Sequence, residues 1–138
     1  EYFYVKEKKL KLLNLALQAM KNAYVPYSNF RVGVAIKSSR NKYYFGCNVE
    51  NSAYPQSLCA ESGAISSMIA GGCTSISEVL IVSQSENLIV PCGGCRQKLL
   101  EFSHAETTVL LANLEGVCKV YNFEELLPFS FHKGYLLE

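Results

Sequence analysis

Cys59-Ala60-Glu61 and Pro91-Cys92-Gly93-Gly94-Cys95-Arg96-Gln97 are the segments whose residue types and spacing suit chemistry. Three thiols, Cys59, Cys92 and Cys95, suit one zinc ion, and Glu61 stands two residues after the first of them. A structural zinc site closes with four protein ligands, whereas a catalytic site keeps one position for water. Three cysteines beside a non-ligand acid give the catalytic arithmetic. On this reading zinc lowers the pKa of a water from ~15.7 towards ~7. Glu61 takes the proton, and the hydroxide attacks an amidine-like carbon. The same carboxyl group then returns protons to the departing nitrogen.

Other readings of these residues stand beside that one. Cys-x-x-Cys at a helix start also fits a thioredoxin-like redox pair, although such a pair has no use for a third thiol and an adjacent acid. A four-cysteine structural site would have to recruit Cys47, Cys73 or Cys118, none of which has knuckle spacing. Glu61 also suits a plain acid in a first helical turn.

Both thiol clusters are expected at helix starts, each after a strand and its loop. Free amide groups and the helix dipole there favour negative charge, which helps form the thiolates that zinc requires. The apolar spacing of Leu10, Leu13, Leu17, Met20 and Tyr24 predicts a helix from Val5 to about Tyr24, stopped by Pro26. Phe30, Val32, Val34 and Ile36 alternate as a strand does, and Tyr43 to Val49 form its antiparallel return. A polar loop over 50–56 leads to a helix at about 58–70, ended by Gly71-Gly72. A buried strand over 78–83 follows, then a helix with Pro91 in its first turn and Cys92 and Cys95 in its opening turn. Strands over 107–112 and 117–121 and a short helix over 123–127 finish the chain. The order predicts one α/β domain over 1–138, a three-layer α/β/α sandwich on a mixed five-stranded sheet.

The 138 residues suffice for a real core, and a charged fraction of 18% marks a folded protein. Net charge is +1, and the only basic cluster, Lys6, Lys8, Lys9 and Lys11, reads as the solvated face of a helix. Without a basic stripe, long nucleic acid is not expected as a partner, and a small near-neutral ligand is. No apolar stretch is long enough to cross a bilayer, so no membrane partner is expected. The first residues show no positive segment followed by an apolar run, so no signal peptide is expected. The expected location is cytoplasmic, with reduced thiols and with Cys47, Cys73 and Cys118 as small buried hydrophobes.

Five motifs, in order, carry a family resemblance: Tyr27-Ser28-x-Phe30-x-Val32-Gly33, Gly46-Cys47-Asn48-Val49-Glu50-Asn51, Cys59-Ala60-Glu61, Pro91-Cys92-Gly93-x-Cys95-Arg96-Gln97 and Glu125-Leu126-Leu127-Pro128. The chain resembles the small, all-cysteine, homotetrameric cytidine deaminases, nearly end to end. The resemblance implies hydrolytic deamination of cytidine and 2′-deoxycytidine to the uridine nucleosides, with release of ammonia, in pyrimidine salvage. It implies one Zn²⁺ per subunit on Cys59, Cys92 and Cys95, with Glu61 moving protons. Asn48 and Glu50 match positions that hold the ribose 3′-hydroxyl, and Phe30 an aromatic that packs on the pyrimidine. The backbone N–H of Ala60 and carbonyl of Val90 match positions that read the base edge. Tyr54 and Phe131 match residues that reach a neighbouring subunit's site, so a homotetramer completes each pocket.

Two positions depart from the family. Ser62 stands where arginine commonly follows the catalytic glutamate and partly neutralises the thiolates; Arg96 or the helix ends are then left to balance that charge. Val90 replaces a more usual serine. A blasticidin S deaminase shares the metal motif but lacks the full Asn48-Val49-Glu50-Asn51 loop. The charge balance disfavours a polynucleotide-editing deaminase. A non-enzymatic zinc module is the alternative from a different class.

Overall fold

The structure, a computed structural model, describes residues 2–137; Glu1 and Glu138, the ends of the expected domain, lie outside the described residues. Its first strand, β1, spans Phe3–Tyr4, followed by helix α1, Glu7–Lys21. The hairpin of β2, Val32–Ser38, and β3, Tyr43–Cys47, leads through a 3₁₀ turn at Tyr54–Gln56 to α2, Ala60–Ala70. Then come β4, Ile76–Ser83, α3, Gly93–Glu101, β5, Ser103–Ala112, β6, Val117–Asn122, and α4, Phe123–Leu126. A second 3₁₀ turn, Lys133–Tyr135, closes the described chain.

The sheet order is β1-β6-β5-β4-β2-β3. The β4–β5 pair is parallel and its other neighbours are antiparallel, so the sheet is mixed as expected. It has six strands instead of five. The sixth, β1, pairs Phe3 with Cys118 and Tyr4 with Val117. Two residues are too short a run for alternation to register, and only the long-range partner β6 makes them a strand.

The three layers follow from which residues each strand presents. On one face Leu12, Leu13, Ala16 and Met20 of α1 pack against Ala35, Leu80, Val82, Leu110 and Ala112. On the other, Ala60, Ala64 and Met68 of α2, Leu99 of α3 and Phe123 and Leu126 of α4 pack against Val34, Ile36, Val79, Ile81, Val109 and Leu111. Neighbouring positions on β2, β4 and β5 feed opposite cores, as strand geometry requires. The expected α1 stripe is rotated: Leu10 and Tyr24 are exposed, while Ala16 and Ala19 are buried. Those small residues let α1 lie so close to β2 that a Cβ on Gly33 would fall 2.0 Å from the Ala16 carbonyl oxygen.

Two further expectations change. Lys9 and Lys37 both pair with the buried Glu78, and Lys11 Nζ lies 4.2 Å from the Tyr43 ring centroid, so two of the α1 lysines are engaged. Cys73 and Cys118 are buried, whereas Cys47 is only half-buried.

Candidate metal centre and active site

The N-termini of α2 and α3 meet where β3 and β4 end. Cys59 is the N-cap of α2 and Cys92 the N-cap of α3, both in extended backbone. This shifts both helix starts by one or two residues from expectation, and Pro91 precedes α3 instead of lying in its first turn. Neither helix start has a side-chain cap, so its first amide groups keep unmet donor capacity. Glu61 falls in the first turn of α2 and Cys95 in that of α3.

α2 reaches this position because its inner face is small. A Cβ on Gly46 of β3 would lie 2.3 Å from the Ala64 amide nitrogen, so helix and strand backbones are almost in contact. Glu61, 5% exposed, is thereby carried into the interior.

The ligand atoms of Cys59, Glu61 and Cys95 lie within 4.8 Å of one another. Cys95 Sγ donates to Cys59 Sγ at 2.7 Å. That bond, reinforced by the Ser62 hydroxyl and the Lys98 charge, lowers the Cys59 pKa to about 5 despite burial. The same bond holds the proton on Cys95 and pushes its pKa far up, aided by burial and the Glu61 charge. Burial raises the Glu61 pKa, and the negative Cys59 sulfur raises it further. Cys92 is exposed and stands outside this trio, but it lines the same cavity and its thiol acts on Cys95.

The cavity above these groups is about 420 Å³. Ala60, Val90 and the three cysteines line it, as do Asn48 and Glu50. Asn48 Nδ2 donates to the Phe30 carbonyl at 2.7 Å, and its Oδ1 accepts from the Val32 amide at 3.0 Å. Glu50 Oε1 accepts from the amides of Tyr27 and Ser28 at 2.9 and 3.1 Å, and Oε2 accepts from the Ser28 hydroxyl. These bonds to Ser28 and Tyr27 hold the Glu50 pKa below the usual carboxylate range.

Three expected residues lie outside the residues lining this cavity. Phe30 is half-buried, its backbone fixed by Ser28 Oγ and Asn48. Tyr54 is exposed and meets Tyr27 edge-on at 5.7 Å, in a second hollow that shares Glu50 and Ser57 with the first. Phe131 is exposed, stacks on Tyr135 at 5.3 Å, and is tied to α3 by Gln97 Nε2 donating to its carbonyl.

Arg96 is bonded to backbone: its Nε donates to the Pro91 carbonyl at 2.8 Å and a terminal nitrogen to the Leu126 carbonyl at 2.6 Å. The cation near Cys59 is Lys98, which the sequence reading missed. A signal was present: Lys98 follows Cys95 by three, as Ser62 follows Cys59, and that spacing puts both on the cysteines' side of their helices.

The donor set fits zinc. Soft sulfur ligands suit that ion, all six cysteines are free, and one sulfur is already held as thiolate. Among the described residues, no helix is long and apolar enough to cross a membrane.

Comparison with known proteins bears on the same site. A family model described as the cytidine and deoxycytidylate deaminase zinc-binding region matches residues 6–112. The chain is 39% identical over 123 residues to a cytidine deaminase of Sporosarcina psychrophila, covering 89% of this chain and 90% of that one. It is 42% identical over 116 residues to one from Mycoplasma genitalium, covering 83% and 88%. The crystal structure of cytidine deaminase from Burkholderia pseudomallei superposes with a TM-score of 0.84 at 36% identity, over 92% of this chain and all of that one. The enzyme from Mycobacterium tuberculosis gives 0.79 at 32%, over 91% and 98%. With cysteines and a buried acid at two helix starts, under a match that spans most of its length, the chain belongs to the cytidine deaminase family of zinc-dependent hydrolytic deaminases.

Proposed function

We propose that this chain deaminates both cytidine and 2′-deoxycytidine in pyrimidine salvage, with one Zn²⁺ per subunit on Cys59, Cys92 and Cys95 and with Glu61 as proton carrier. The observation that carries this reading is the buried Glu61 carboxyl set against the Cys59–Cys95 sulfurs on a nucleoside-sized cavity. Zinc, when bound, supplies the Lewis acidity that makes water nucleophilic at neutral pH. Glu61 takes a proton from that water and delivers it to N3 of the pyrimidine. The second proton goes to the leaving amino nitrogen, so cytidine and water become uridine and ammonia. Burial, which raises the Glu61 pKa, suits a group that must hold a proton between two transfers.

The remaining residues bind and orient. The Ala60 amide, in the first turn of α2, has no acceptor within its own helix and serves the base edge with the Val90 carbonyl. Asn48 keeps one N–H and one lone pair beyond its bonds to Phe30 and Val32, and Glu50 keeps acceptor capacity beyond three bonds. Together they can accept from and donate to the ribose 3′-hydroxyl. The family resemblance alone assigns Phe30, outside the lining of this cavity, to packing on the pyrimidine. Exposed Tyr54 and Phe131 serve a neighbouring subunit's site, in a cytoplasmic homotetramer of single-domain chains.

The test is a panel of free nucleosides, nucleotides and single-stranded oligomers followed by ultraviolet absorbance, with metal analysis of the same sample. Turnover of both nucleosides with one zinc per chain is expected, and Glu61→Ala abolishes ammonia release while zinc persists. Turnover confined to nucleotides or oligomers, or an active Glu61→Ala, overturns the assignment.

A further inference from the structure

Ser62 and Lys98 have no part in the reaction as described, yet they meet at the Cys59 sulfur. Ser62 Oγ lies 3.1 Å from Cys59 Sγ. Lys98 Nζ donates to Ser62 Oγ at 3.0 Å and stands 3.9 Å from the sulfur itself. Because the lysine donates into the serine oxygen, the serine's own proton is free to point at the sulfur. We propose that Lys98, acting directly and through Ser62, is a positioning residue that sets the charge on the Cys59 sulfur and thereby the acidity the site imposes on water. This rests on the reading of Cys59 as a zinc ligand.

The physical need is a matter of charge. Three thiolates and Zn²⁺ sum to −1, and an ionised Glu61 makes −2, which opposes the release of a proton from water. A cation on the outer side of one sulfur withdraws electron density from it and leaves the metal a stronger Lewis acid. Arg96 donates to two backbone carbonyls, whereas Lys98 is the cation hydrogen-bonded at the Cys59 sulfur. The cost is small, because the ammonium group stays in the groove between α2 and α3 and is not desolvated. Glu101, which lines the same groove, and Glu61 are the acidic groups that modulate its field. Without the link to sulfur, Lys98 would be an ordinary solvated lysine and Ser62 a helix serine.

The experiment replaces zinc with cobalt(II) and records the sulfur-to-cobalt charge-transfer band in wild type, Lys98→Met, Lys98→Arg and Ser62→Ala. Lys98→Met moves the band to lower energy, Ser62→Ala moves it the same way by less, and Lys98→Arg keeps the wild-type position. In the zinc protein, Lys98→Met raises the acid limb of the kcat/KM profile by about half a unit, the scale of an exposed ion pair. That shift shrinks at high salt, and adding Ser62→Arg to Lys98→Met reverses it. A wild-type band that Lys98→Met leaves unmoved, at unchanged cobalt content, overturns the proposal alone. A wild-type protein with no such band overturns the zinc assignment and this proposal with it.

Discussion

The two helical layers of this sheet use the same device to different ends. α1 meets β2 at Gly33, where a Cβ would lie 2.0 Å from the Ala16 carbonyl, and α2 meets the neighbouring strand at Gly46, 2.3 Å from the Ala64 amide. In the first layer the close approach seals Leu12, Leu13 and Met20 onto the sheet, and the charges stay at the margin, with Lys9 and Lys37 around Glu78. In the second it carries Glu61 into the interior and brings Cys59 against Cys95. One layer holds the sheet together; the other holds a reactive constellation on it.

The widest separation comes from one substitution in each layer. Glu61→Gln lowers turnover by about 10²–10⁴-fold with the thermal midpoint unlowered. Leu12→Ala costs about 2–5 kcal/mol of stability and leaves turnover per folded molecule unchanged, read by denaturant titration alongside active-site counting. Next come the glycines: Gly33→Ala and Gly46→Ala each destabilise by about 1–3 kcal/mol through overpacking. Only Gly46→Ala also lowers kcat; equal losses of kcat in both would erase the distinction between the layers.

Smaller effects test the wall of the site. The folded Glu50 pKa is depressed by the Ser28 and Tyr27 bonds. Its contribution is therefore present above the ordinary carboxylate value and disappears as pH falls through the depressed one. Cytidine KM should rise over that acid window, and Glu50→Gln should remove the dependence. The smallest expected change is a downward shift of the acid limb in Ser62→Arg. An unchanged profile there would count against charge balance as a design element of the sulfur-bearing layer.

What the sequence revealed follows from range. The thiol clusters, the helix starts and the β2–β3 hairpin are governed by spacing within a few residues and could be read directly. β1 could not, because Phe3 and Tyr4 become a strand only by pairing with Cys118 and Val117. The bonds of Arg96 were hidden for a similar reason: its partner Leu126 arrives from the far end of the chain. Lys98 lay hidden because its target sulfur belongs to a different helix. Tyr54 and Phe131 stood out in the sequence only by resemblance, and a single chain leaves both exposed.

Serine is among the best residues for opening a helix, and substituting one at an N-cap is worth about 0.5–2 kcal/mol relative to an uncapped start. The chain puts cysteine at this position in both α2 and α3, and neither makes a capping bond. In the metal-free chain, exchanging each sulfur for a hydroxyl would therefore firm both helix starts while removing two soft metal donors. At these two places the sequence has traded local durability for reactivity.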